Sequence, residues 1–145
     1  MIPLDFSFTE GGIAQDTRGQ IRFVNDFDMT AVKRFYLIKN ADTEIIRGWR
    51  GHAIEQRWFY VLSGKFIVHL VKIDDWDEPS MDLEIISLEL IASQSKVLHV
   101  PQGYATAFRA EDEHAELLVF ADHDIEHAVM DDHTWPISYF RQFHK

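Results

Sequence analysis

Nine short strand-like runs, each cut off by turn-forming residues before it reaches helical length, constrain the fold of this chain most. They cover residues 21–25, 32–38, 43–46, 57–62, 65–73, 83–90, 97–100, 106–110 and 116–121. Ser63-Gly64 leaves between two of them the two-residue gap of a tight hairpin. Residues 74–80, with Pro79, and residues 110–114 read as polar connections. The run 65–73 is apolar at both parities, as expected of a strand covered on two faces. Only the tail, 137–143 after Trp135-Pro136, reads as a short closing helix. Many short strands and one terminal helix predict an all-β sandwich or jelly-roll barrel. No linker, repeat or low-complexity stretch interrupts the pattern, so residues 1–145 are expected to form a single domain.

Composition narrows the function. With no cysteine, disulfides, thiolate metal sites and a cysteine nucleophile are all excluded. A formal net charge of −10 makes the general surface repel nucleic acid and anionic membranes, so neither is expected as a partner. No run reaches membrane-spanning length, and the start, with an early Asp5 and no basic stretch, does not read as a signal peptide. A cytoplasmic protein is expected.

Against that acidity, Arg47-Gly48-Trp49-Arg50-Gly51-His52 and the following Glu55, Arg57, Trp58 and Phe59 stand out. Three arginines, a histidine and a glutamate fall at the end of one expected strand and the start of the next. Burying so many ionisable groups beside aromatics is costly without partners, and guanidinium forks suit phosphate or carboxylate. A pocket for an anionic small molecule is expected. On residues 32–38, Arg34, Tyr36 and Ile38 share one face while Phe35 and Leu37 share the other. Gly48, Arg50 and His52 alternate with Trp49 and Gly51, so Tyr36, Arg50 and His52 are expected in one barrel mouth unless a bulge at a glycine reverses the parity.

Four segments carry a resemblance: Asp16-Thr17-Arg18-Gly19-Gln20-Ile21, Val32-Lys33-Arg34-Phe35-Tyr36-Leu37-Ile38, Arg47-Gly48-Trp49-Arg50-Gly51-His52 and Pro101-Gln102-Gly103-Tyr104-Ala105. In this order they resemble the small cupin-fold (RmlC-like) nucleotide-sugar isomerases and epimerases. The likeness is to the dTDP-4-keto-6-deoxyglucose 3,4-ketoisomerases (WxcM-like) and, more distantly, to the dTDP-4-dehydrorhamnose 3,5-epimerases. The resemblance implies a cupin double-stranded β-helix, or jelly roll, and a homodimer. It also implies a dTDP-linked sugar of deoxysugar biosynthesis as ligand, and neither a metal nor an organic cofactor. It places Arg47 on the pyrophosphate, Arg57 near phosphate, Tyr36 in the pocket wall, and His52 at the second histidine of the ketoisomerases' His-Ala-His element. The chain departs from the pattern at Arg50, which stands for the first histidine, at Thr106, which stands for a later histidine, and at Val119, near an acid tyrosine of the epimerases.

Ketoisomerisation needs a base for the proton between carbonyl and carbinol and an acid for the enediolate. His52 is the candidate base and Tyr36 the candidate proton donor or hydrogen-bonding partner. Arg50 is expected to stabilise enediolate charge and to lower the proton affinity of His52. The plainer alternative is that His52 bonds Glu55 at a strand end. Arg47, Arg50, Arg57, Glu55 and Tyr104 complete the expected substrate-binding set, with Glu55 as partner to an arginine rather than a base and Tyr104 at the mouth or packed under its loop. A cupin metal site would need more than His52 and Glu55, with His69 and His99 as the remaining candidates. His123 and His127 read as a solvated surface. A catalytically silent binder of a sugar nucleotide or another anion is the alternative to an isomerase or epimerase.

Overall fold

The computed structural model describes residues 5–141. Its strands are β1 (Ser7–Glu10), β2 (Gly12–Asp16), β3 (Gly19–Phe23), β4 (Arg34–Ile38), β5 (Ile46–His52), β6 (Arg57–Ser63), β7 (Lys65–Lys72), β8 (Ile86–Ile91), β9 (Lys96–Val100), β10 (Tyr104–Ala110), β11 (Glu116–Ala121) and β12 (His133–Thr134). Two five-stranded antiparallel sheets, ordered β1-β9-β6-β11-β4 and β12-β5-β10-β7-β8, face each other, and β2-β3 forms a separate ribbon. Strand alternation builds the core between them. Phe59 and Val61 of β6, Leu98 and Val100 of β9, and Leu117 and Val119 of β11 meet Phe66, Val68 and Leu70 of β7 and Phe108 of β10. Each large side chain removed from water there contributes about 1.5–3 kcal/mol.

The expected all-β jelly roll is the architecture observed, with corrections in detail. The 57–62 and 65–73 runs do not pair as a hairpin: β6 bonds to β9 and β11, and β7 to β8 and β10. Gly64 turns the chain from one sheet to the other at φ +68°, and a Cβ there would lie 2.5 Å from the Asp112 carboxylate. The short helix exists, but it is α1 (Ile125–Ala128), continued by a 3₁₀ turn at Val129–Asp131. It starts where Asp124 accepts the His127 backbone N–H, a cap hidden within an acid run. The expected helix at 137–143 is a turn over 137–141, and 142–143 fall outside the described residues. β7 is buried along the face of Phe66, Val68 and Leu70, whereas on the other Lys65, Ile67 and His69 are half-buried and only Val71 is fully covered. Leu70 points to the main core, whereas Val71 packs with Trp49, Ala105, Ala107 and Phe140 in a second cluster under the C-terminal segment.

Candidate functional site

Between the sheets at one end opens a cavity of about 550 Å³, bounded by β4, β5, the start of β6, β10 and the segment running from α1 to Trp135. Among the described residues its wall holds the cationic side chains Arg34, Lys39, Arg47, Arg50 and Arg57 against a single carboxylate, Asp132. Tyr36, His52, Thr106, Phe108 and Trp135 share it.

A bulge in β5 decides which residues reach this wall. In the β5–β10 register Thr106 faces Arg50 and Ala107 faces Gly48, so Trp49 is the extra residue. Trp49 is 1% exposed and its indole N–H donates to the Ile137 carbonyl at 3.1 Å. Because two residues oppose one, Arg47, Arg50 and His52 all come to the cavity although their numbers differ in parity. Gly48 permits this: at φ +148° it lies against β10, and a Cβ would sit 2.7 Å from Ala107 Cα and from the Thr106 carbonyl oxygen. Simple alternation from Gly48 to His52 had aligned Arg50 with His52 but left out Arg47.

His52 is 5% exposed. Its Nδ1 lies 2.9 Å from the Asp131 main-chain carbonyl, which can only accept, so the proton is on Nδ1. Nε2 is buried and has no hydrogen-bond partner among the described residues. Burial first, and then the nearby Arg57 guanidinium, pull the His52 pKa down to about 4 against the pull of Asp131 and Asp132. At neutral pH the ring is therefore uncharged, with a bare lone pair. The alternative bond from His52 to Glu55 is not present: Glu55 bonds elsewhere.

Glu55, 2% exposed, lies behind the wall rather than in it. Arg57 Nε donates to its Oε1 at 2.8 Å, and Arg34 Nη2 donates to both oxygens at 3.3 and 3.4 Å. The two guanidiniums flank the Tyr36 ring, at 5.2 Å for Arg34 and 5.7 Å for Arg57. Burial raises the Tyr36 pKa, outweighing the two arginines, so its hydroxyl keeps its proton. Arg50 is the more exposed member of a pair with Asp132, Nε to Oδ1 at 3.0 Å. The Arg47 and Lys39 side chains have neither ion-pair nor hydrogen-bond partners among the described residues.

The structure thus brings Tyr36, Arg47, Arg50, His52 and Arg57 together. Of the two placements expected for Tyr104, the packed one is observed: it is 4% exposed, lies in the core, and its hydroxyl donates to Asp5 Oδ1 at 3.4 Å, away from the cavity wall. His69 and His99 stand on the outer faces of their strands, bonded to Ser87 Oγ and Gln56 Oε1 respectively. Among the described residues no three His, Cys, Asp or Glu side chains converge as metal ligands. Sequence reasoning missed Arg34, whose parity with Tyr36 was a usable signal, and Asp131, Asp132 and Trp135, for which local sequence carried none.

No protein-family model matches the chain, and no curated protein sequence matches it. Solved structures do. The sugar 3,4-ketoisomerase QdtA from Thermoanaerobacterium thermosaccharolyticum, in complex with TDP, superposes with TM-score 0.70 at 22% identity over 94% of this chain and 93% of that one. The dTDP-4-dehydrorhamnose 3,5-epimerase of Bacillus anthracis, with TDP and PPi bound, gives TM-score 0.72 at 16% identity, over 94% and 83% of the two chains. A 3,4-ketoisomerase from Helicobacter canadensis gives 0.65 at 18% identity, over 84% and 86%. The likeness is one of fold, and it extends over most of each chain.

Proposed function

We propose that this cupin-type jelly roll, built like the sugar-nucleotide ketoisomerases and epimerases, isomerises or epimerises a nucleotide-linked, dTDP-linked for preference, 4-keto-6-deoxy sugar by proton transfer. The observation that carries the reading is a buried, neutral imidazole with an unpartnered Nε2 in the wall of a cavity bearing five cationic side chains on a chain of net charge −10. Arg47 and Lys39, whose side chains pair with none of the described residues, are available to a diphosphate, with Arg57 and Arg34 already aimed by Glu55. His52 Nε2 takes the proton beside the ketone, the C–H electron pair becomes the carbon–carbon double bond as the carbonyl π pair moves to oxygen, and the enediolate is held by the cationic wall. Protonated Tyr36 donates to that oxygen or returns a proton to carbon. Bound diphosphate would oppose the field of Arg57 that weakens His52, so the base strengthens when substrate arrives.

A second reading, a silent binder of a sugar nucleotide or another anion, is favoured by Arg50, which stands where the resemblance places a histidine and is held by Asp132. Incubation with a dTDP-4-keto-6-deoxyhexose in deuterated water separates the two. Enzyme-dependent exchange beside the ketone, lost in His52→Ala, supports the isomerase. Tight binding without exchange supports the silent binder, and no binding of any sugar nucleotide would falsify the isomerase and leave only a binder of another anion. We also propose a homodimer, because the outer face of the β4-β11-β6 layer leaves Phe35 67% and Leu37 55% exposed.

A further inference from the structure

We propose that Asp131 is the positioning residue of this cavity: its main-chain carbonyl fixes the His52 tautomer, and its carboxylate pins the loop that carries Glu55. The carbonyl lies 2.9 Å from His52 Nδ1, which assigns the proton to that nitrogen and leaves Nε2 as the acceptor. The carboxylate, on a residue only 5% exposed, takes three successive backbone donors. Oδ1 accepts from Ala53 N–H at 2.9 Å, and Oδ2 accepts from Ile54 N–H at 2.9 Å and Glu55 N–H at 2.8 Å. Those residues join β5 to β6, and Glu55 in turn orients Arg57 and Arg34. One residue from the 3₁₀ turn after α1 therefore sets both a proton acceptor and the aim of two guanidiniums. The charged and titratable groups around His52 are Arg57 from β6 and Asp131 and Asp132 from the turn, with His133 Nε2 3.7 Å from Asp131 Oδ1. Only the catalytic consequence rests on His52 as base; the geometric assignment does not.

Asp131→Asn probes it sharply. An amide has an oxygen at one end and an N–H donor at the other, so whichever way it lies at least one of the three backbone donors faces a donor. The turn must shift, and the carbonyl leaves His52 Nδ1. In protein labelled with nitrogen-15 at histidine, with His52 assigned by signal loss in His52→Gln, the wild type is expected to show a protonated Nδ1 and a bare Nε2 at pH 7. Asp131→Asn is expected to average the two signals and to slow deuterium exchange into dTDP-4-keto-6-deoxyglucose by roughly 10- to 100-fold. A wild-type proton on Nε2, or an unaltered tautomer in folded Asp131→Asn, overturns the proposal. If that variant does not fold, the wild type still decides. The backbone amides of Ala53, Ile54 and Glu55 are expected to exchange with deuterium slowly, and exchange of all three at the rate of an unprotected loop overturns the assignment. The expected tautomer in a wild type without exchange activity supports Asp131 as positioner and sinks the isomerase reading alone.

Discussion

At the scale of single residues, the cavity divides its arginines into two kinds. Arg47 is exposed and unpartnered among the described residues, whereas Arg57 is buried and tied to Glu55. Arg47→Ala is therefore expected to leave the denaturation midpoint almost unchanged. It should weaken thymidine diphosphate binding by roughly 10- to 100-fold, the worth of charge-assisted hydrogen bonds, as calorimetry can measure. Arg57→Ala strands Glu55 without its closest partner, and should cost about 3–5 kcal/mol of stability in urea melts. His52 adds a pH dependence whose sign follows from its lowered pKa. Above pH 6.5 both folded and unfolded states hold it neutral. As pH falls toward 4 the unfolded chain binds a proton that the folded one refuses, and stability is lost through that window. The loss attributable to His52 is on the order of 3 kcal/mol. His69 and His99, both also lowered by burial, act in the same direction. The difference between wild type and His52→Gln melts, at pH 7 and pH 5, isolates the His52 share; equal pH slopes in the two proteins would contradict the assignment.

At the scale of elements, β5 is where local reading and structure part most. Apolar patterning placed one run at 43–46 and another from 57, with the charged cluster between them. The chain instead runs a seven-residue strand, Ile46–His52, straight through the cluster. A strand is a matter of ladder partners, and β10 and β12 supply them on either side. Likewise β1 and β2 carry too little apolar signal to stand out, yet β1 is held by β9 and β2 by β3. The bulge in β5 is what brings Arg47 to the cavity, and Gly48 is the residue that permits it. Gly48→Ala would drive a methyl into β10, so it is expected to cost about 1–3 kcal/mol. It should also weaken thymidine diphosphate binding, because Arg47 can no longer share a face with Arg50. A variant with native stability and affinity would show that the backbone tolerates a side chain there.

For the molecule as a whole, two outward properties matter: the net charge of −10 and the apolar outer face of β4. If that face joins two copies, Phe35→Asp should convert a dimer into a monomer in sedimentation velocity, since burying a carboxylate against its counterpart is prohibitive. Thymidine diphosphate affinity should survive, because Phe35 lies outside the cavity wall and β4 turns Arg34 and Tyr36 the opposite way. A wild-type monomer at micromolar concentration would remove the case for that interface. Patterning alone determined a chain of short strands packed as an all-β double layer, because alternation records which side of each strand meets a core. The same alternation put Arg34 with Tyr36 and Arg50 with His52, and composition marked the cationic cluster on an acidic chain. Tertiary structure alone decided that β6 and β7 enter different sheets, that a bulge recruits Arg47, and that Asp131 reaches back across 79 positions to His52. Those outcomes depend on backbone donors and acceptors finding partners far along the chain, and side-chain periodicity holds no record of that choice.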